Sequence, residues 1–272
     1  MGKVMRQLCV FLLWTMVSPA SAQVVLTTAG DARYEVDAAA RGGLAAPVYF
    51  RGWPNLCIRQ CDADACDAPC GAADVYDAAG QASESTLDEQ GIVTAKRNLA
   101  GLAVRRHVFA PKAGQQNADR FIRYVDALSN EGNAPVTVMV RLGSVGAQPA
   151  RLSDGIERIW KTSSDDPTFE VADRWLAVDD DSVNGGVLTT GILLQGAGTQ
   201  TLLSSPRSET VELDDAIRLS WDFRAVTVPP GQTVSFMTAI VTESQRQSAY
   251  DELENLMRAK AIDLLVGLTD QE

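Results

Sequence analysis

The sequence predicts an all-β fold, a sandwich of antiparallel sheets carrying one C-terminal amphipathic helix. Three observations carry this. From Gln23 to about Glu243 apolar residues recur with the two-residue period of strands. Gly- and Pro-containing turns such as PPGQ (229–232) punctuate those runs. After Ser248 the period changes to that of a helix.

Residues 1–22 read as a secretory signal peptide. Lys3 and Arg6 make a basic start, Leu8–Val17 an apolar core, and Ala20-Ser21-Ala22 a small-residue cleavage site. The apolar core is about ten residues, where a membrane span needs roughly 20. The expected mature chain begins at Gln23, is exported through the inner membrane, and works in the periplasm, outside the cell or at its surface. No small-residue lipobox precedes Cys9, and no later apolar run approaches membrane length. The sequence divides into the leader, a β-sandwich over 23–243 and a helical tail over 244–272.

Charge narrows the function classes. The chain carries a formal net charge of −11, and losing Lys3 and Arg6 makes it more acidic. An acidic surface repels nucleic-acid phosphates and anionic membranes. There is 1 histidine, His107, which excludes a His-rich zinc site and any mechanism needing two imidazoles.

The Ala/Gly-rich stretch 37–47 leads into a cysteine-rich loop at about 55–72. Cys57, Cys61, Cys66 and Cys70 lie in CIRQCDADACDAPC. An even number of cysteines in an exported chain implies disulfides. Nested and overlapping pairings are both reachable in so short a loop. Four thiolate ligands to zinc are the competing reading, and the oxidising compartment favours disulfides. The bridges are expected to staple an exposed loop locally. Asp62, Asp64 and Asp67 fall inside this loop and resemble the oxygen-rich loops that hold Ca²⁺. The glycine and glutamate of an EF-hand are missing, so solvated aspartates are the alternative. Ca²⁺ is the one cofactor the sequence suggests.

The strands follow in order. GLAVRRHVFAP (101–111) places Leu102, Val104, Arg106 and Val108 on one side and Ala103, Arg105, His107 and Phe109 on the other. FIRYVDALSN (121–130) and VTVMVRL (136–142) flank the loop EGNAP, which reads as a hairpin connection. Val136, Val138, Val140 and Leu142 share a face that should point to the core. Further strands are expected at 174–178, 186–195 and 216–228. The run 233–243 is expected to return antiparallel to 216–228 through the PPGQ turn. Asp179-Asp180-Asp181 reads as a turn between strands. The helix is expected over 248–267. Ser248 and Asp251 would form its capping-box-like start, Tyr250, Leu253, Met257, Ala261 and Leu264 its apolar stripe, and Gly267 its stop.

The segments GLAVRRHVFAP, FIRYVDALSNEGNAPVTVMVRLGS, TSSDD…ADRWLAVDDD and WDFRAVTVPPGQTVSFMTAIV resemble a module of exported bacterial proteins of galactose-mutarotase-like supersandwich type. The resemblance runs from Leu102 to Glu243 and implies long antiparallel strands stacked in two sheets. Sugar chemistry of that type implies two histidines and a carboxylate. This chain has one histidine, and its cysteine loop is a further departure.

His107 is the candidate general base or ligand contact, because an imidazole titrates near neutrality. Against that role, it sits mid-strand beside two arginines. Ser144, in LGSVG, lacks the glycine that a nucleophile elbow requires two residues earlier. The carboxylate pairs Asp165/Asp166 and Asp214/Asp215 read as turns or strand edges. Trp175 and Trp221 fall in strand patterns and should be core. Trp53, in RGWPN beside the cysteines, is the aromatic candidate for a binding surface, with a local plug under the disulfides as its alternative. The reading that results is a non-catalytic exported structural or recognition module, with an extracytoplasmic protein or a glycan as partner. The alternative is a carbohydrate-binding or carbohydrate-active protein using the concave face of the sandwich.

Overall fold

The computed structural model describes residues 24–27, 33–36, 42–45, 48–62, 66, 69–77, 84–86, 90–111, 121–144, 158–180, 188–194, 204–211 and 216–258. The chain opens with β1 (Val24–Thr27), β2 (Arg33–Val36), β3 (Gly42–Ala45) and β4 (Val48–Trp53), which form a small antiparallel sheet in that order. Next come β5 (Asn55–Gln60), β6 (Glu84–Thr86), β7 (Gly91–Val93), β8 (Arg97–Leu99), β9 (Leu102–Phe109), β10 (Phe121–Ser129) and β11 (Val136–Gly143). The rest are β12 (Arg158–Thr162), β13 (Trp175–Asp179), β14 (Thr189–Leu193), β15 (Ser205–Val211), β16 (Ala216–Val228), β17 (Thr233–Glu243) and the helix α1 (Arg246–Arg258).

A large sheet runs β12-β13-β14-β17-β10-β9-β7-β6, with β8 also pairing to β9. A four-stranded sheet, β15-β16-β11-β5, faces it. One buried cluster joins them: Val138, Val140, Leu142, Leu219 and Trp221 from the four-stranded sheet meet Val104, Val108, Ile122, Leu176, Ile192 and Ile240 from the large one. The small sheet adds Leu26, Tyr34, Val36 and Trp53 to the same core. This is the expected antiparallel sandwich, because every contributing strand buries alternate residues on one face.

The connections differ from expectation in two places. β10 and β11 do not form a hairpin, since β10 pairs with β9 and β17 while β11 pairs with β5 and β16. β16 and β17 likewise belong to different sheets. Both turns are arches that carry the chain from one sheet to the other. Alternation alone gives the same pattern for a hairpin and for an arch, because each strand turns its apolar face to the same core. Asn130 ties the two arches together. Its backbone N–H donates to Gln232 O (2.9 Å), and its O accepts from Gly231 N–H (2.8 Å). Its side-chain amide donates to Ala134 O and Val228 O, each at 2.8 Å.

β16 also carries a bulge. Val138 pairs with Val226 and Val140 with Phe223, so Arg224 and Ala225 together oppose Met139. Ala225 accordingly adopts φ 53°, and Phe223 and Val226 both stay turned to the core.

α1 begins two residues before Ser248, which lies inside the helix and is not its cap. Residues beyond Arg258 lie outside the described chain, as does the leader. The buried stripe is Ala249, Leu253 and Leu256, with Tyr250 and Met257 at its margins. It packs on the side of the large sheet that faces away from the sandwich core, against Trp175, Ala177, Leu193, Ala239 and Val241.

Candidate functional site

The outer face of the large sheet is ordered by register. Trp175, Leu193, Ala239, Arg123 and Phe109 form one cross-strand row, from β13 through β14, β17 and β10 to β9. The next row is Met237, Val125, His107 and Val93. The one after that is Ser235, Ala127 and Arg105. α1 covers the β13, β14 and β17 side, so the face divides into a helix-covered half and a half built on β9 and β10.

Local chemistry fixes the helix-covered half. Gly191 leaves room for Leu253: a Cβ there would stand 2.7 Å from Leu253 Cδ1. Trp175 stacks on Tyr250 with ring centroids 6.1 Å apart and donates its indole N–H to Glu254 Oε1 (3.0 Å). The helix start is clamped at Asp179, whose Oδ2 accepts from Arg246 Nε (2.6 Å) and Thr189 Oγ1 (2.7 Å). The Arg246 guanidinium also lies 3.8 Å from the centroid of the Trp160 ring. Asp179, through its carboxylate, and Asp180, through its backbone carbonyl, are therefore buried helix anchors at the end of β13. Asp181, the third acid of the expected turn between strands, lies outside the described residues.

The other half carries the basic groups. His107 is 6% exposed and Arg123 is 1% exposed, whereas Arg105 is open to solvent. The Arg123 guanidinium lies 4.8 Å from the centroid of the Phe109 ring. Ala103 and Ala127 lie low around Arg105, while Ser235 and Thr233 are exposed along β17. The Ser129 and Thr233 hydroxyls meet at 2.7 Å. What this surface offers is hydrogen-bond donors, a guanidinium and several hydroxyls, over a floor of small side chains.

The buried carboxylates face elsewhere and are engaged. On the core side, Arg106 holds Asp126 through two bonds, at 2.6 and 2.9 Å, and donates to Pro54 O at 2.7 Å. Burial works against the Arg106 charge, but the Asp126 carboxylate outweighs it and holds the guanidinium above its usual range. On the outside of the four-stranded sheet Arg141 grips Asp222 at 2.6 and 2.8 Å, and these hydrogen bonds raise the Arg141 pKa. Asp173 orders the β12–β13 loop by accepting from Ser164 Oγ (2.8 Å) and Glu170 N–H (2.7 Å).

The sequence-predicted residues do not converge. Trp53 is not a surface aromatic: it is 1% exposed and packs edge-on against Trp221, 5.6 Å between centroids. The chain turns at Pro54 so that β4 ends inside the core, which RGWPN does not reveal. Asp62 is exposed, while Asp64 and Asp67 lie outside the described residues. Among the described residues no group of three His, Cys, Asp or Glu is placed to hold a metal ion. Ser144 is buried at the end of β11. The cysteines pair in the nested pattern, Cys57–Cys70 and Cys61–Cys66. Cys57 and Cys66 are buried against Met139. Sequence reasoning found Arg105 and His107 on one face but missed Arg123, which joins them only through the β9–β10 register.

No family model matches this chain, and no curated protein does. Several solved structures align with it at low identity and low TM-score. One is a polysaccharide lyase at 11% identity and TM-score 0.42, matched over 87% of this chain and 35% of its own length. The Slr1438 protein from Synechocystis sp. PCC 6803 matches at 9% identity and TM-score 0.42, over 87% of this chain and 100% of its own. A galactose mutarotase related enzyme from Lactobacillus acidophilus matches at 8% identity and TM-score 0.38, over 84% and 99%. What the site can do rests on this chain's own residues.

Proposed function

We propose that this chain is an exported, disulfide-stapled recognition module that binds its partner without transforming it. The supporting observation is how four of its buried acids are used. Asp126, Asp173, Asp179 and Asp222 each accept hydrogen bonds from guanidinium, hydroxyl or loop N–H groups that hold strands, the β12–β13 loop and the helix in place. General acid–base chemistry needs such groups within reach of a substrate proton. The paired cysteines suit an oxidising compartment.

A glycan is the partner favoured by the solvent-facing groups at one end of the outer face, around Arg105. Arg105 and the hydroxyls of Ser129, Thr233 and Ser235 are the donors that sugar hydroxyls and carboxylates accept from. The test is a glycan array probed with the purified mature protein and with Arg105→Ala. Retention of a glycan that weakens by about tenfold in the variant is expected, the loss of a charge-assisted bond. Binding indifferent to Arg105 refutes the glycan reading. Release of new reducing ends from a bound glycan refutes the non-catalytic one.

A further inference from the structure

We infer that the glycan met at Arg105 carries one isolated carboxylate, a uronic acid unit seated on β9, with neutral sugars reaching from it across β10 to β17. The inference rests on the glycan reading above and adds the ligand's charge and direction. Register fixes the groups concerned. Arg105, Ala127 and Ser235 form one row across β9, β10 and β17. Asn98, Ala103, Ser129 and Thr233 form the next, starting from β8. Arg105, Asn98, Thr233 and Ser235 are exposed, and Ser129 is half-buried. β9 and β17 stand two strand spacings apart, about 10 Å. Arg105 and the hydroxyls of β17 therefore serve different parts of one ligand.

The two ends of this surface differ in chemistry. Among the described residues none forms an ion pair with Arg105. Two acids of the neighbouring strand are engaged elsewhere. Asp126 points to the core, where Arg106 holds it at 2.6 Å, and Glu131, just past β10, is held by Lys96 at 2.8 Å. A guanidinium donates and never accepts, and its planar fork matches a carboxylate through two parallel bonds. The Ser129 and Thr233 hydroxyls, 2.7 Å apart, and the Asn98 carboxamide both donate and accept, which is what neutral sugar hydroxyls require. A densely charged polyanion fits this arrangement badly. The chain has a net charge of −11 and repels such a polymer at long range. A single carboxylate meets less of that repulsion and still makes the direct bonds to Arg105.

The test is calorimetric titration with xylotriose, cellotriose and mannotriose, each bearing one glucuronic acid unit, and with the same compounds after reduction of the carboxyl to an alcohol. The wild-type protein should bind at least one acid form about tenfold or more tighter than its reduced form, the loss of a charge-assisted contact. Arg105→Gln should bind the two forms alike. Ser129→Ala/Thr233→Ala should weaken both forms by a similar factor and keep the preference for the acid. Polygalacturonate should bind more weakly per site at low salt, and added salt should narrow that gap by screening the repulsion. Equal affinity of the wild-type protein for acid and reduced forms overturns the inference and leaves a neutral glycan as partner. Tighter binding of polygalacturonate at low salt overturns the isolated carboxylate. Failure of every compound to bind overturns the inference as well. The glycan array then separates the two readings: a neutral glycan retained there means that only this inference falls, and no glycan retained means that the glycan reading falls with it.

Discussion

Docking of α1 depends on a missing side chain, and substituting Gly191 measures that dependence. A Cβ at Gly191 would meet Leu253 Cδ1 at 2.7 Å, Cγ at 3.0 Å and Cδ2 at 3.2 Å. Leu253 is 0% exposed and wedged among Trp175, Leu193 and Val241, so it has little room to turn away. Overpacking of this kind costs about 1–3 kcal/mol. Alanine also restricts the unfolded strand relative to glycine, which returns roughly 0.5–1 kcal/mol. Gly191→Ala should therefore destabilise by about 0–2.5 kcal/mol. Leu253→Ala alone should cost about 2–5 kcal/mol, because a buried leucine leaves a cavity. The new methyl at 191 would stand where the leucine stood, so the double variant should be more stable than the sum predicts by about 1 kcal/mol or more. Guanidinium denaturation of the four proteins closes the cycle. Additivity within about 0.5 kcal/mol would refute the contact. Stabilisation by Gly191→Ala alone would show that the helix does not press on this strand.

Three further outcomes follow from the interior. Asp126→Ala should cost about 3–5 kcal/mol by leaving the Arg106 guanidinium buried without its carboxylate, while Glu131→Ala, which breaks an exposed pair with Lys96, should cost less than about 1 kcal/mol in the same denaturation series. At alkaline pH the buried Tyr34 matters. Burial is the main cause raising its phenol pKa, so its native value lies above the unfolded one near 10. Its stabilising contribution is complete below the unfolded value and is lost as pH rises through the native one. Phenolate absorbance from Tyr34 should thus appear together with loss of far-ultraviolet circular dichroism, and Tyr34→Phe should move that transition. Gly143→Ala should fail to give folded protein, because Gly143 sits at φ +102° and a Cβ there would be 2.2 Å from Leu219 O; a variant with wild-type melting behaviour would contradict that geometry.

The long strands were legible because burial on one face imposes alternation on each segment separately, while β2–β8, β12 and β15 were not read as strands. Leu102–Phe109, Phe121–Ser129 and Thr233–Glu243 appear nearly where the pattern puts them. What the pattern could not tell is which strand lies beside which. EGNAP and PPGQ carry ordinary turn chemistry, yet both cross between sheets, and the side-chain amide of Asn130 that joins them reads locally as one more loop residue. Arg106 is a similar case. Its alternation with Leu102, Val104 and Val108 placed it on the core face, but Asp126, which makes that burial tolerable, is brought to it only by the β9–β10 register.

The candidate site was legible only in pieces. Arg105 and His107 share a face by strand periodicity alone. Arg123 enters that face through pairing, and its neighbour Ala239 through a second pairing on the other side. Trp53 was read either as a surface aromatic on a loop beside the cysteines or as a buried plug under the disulfides, and it is buried, but against Trp221 in the core.

By itself the sequence determined the all-β class, the positions of the long central strands and a helix after them, since these follow from interactions within a few residues and from the apolar period of each segment. The nested cysteine pairing, the arches, the Gly191–Leu253 contact and the split of the outer face were decided only in three dimensions. Each depends on residues far apart in the chain meeting at one distance, and no local period encodes a distance between strands.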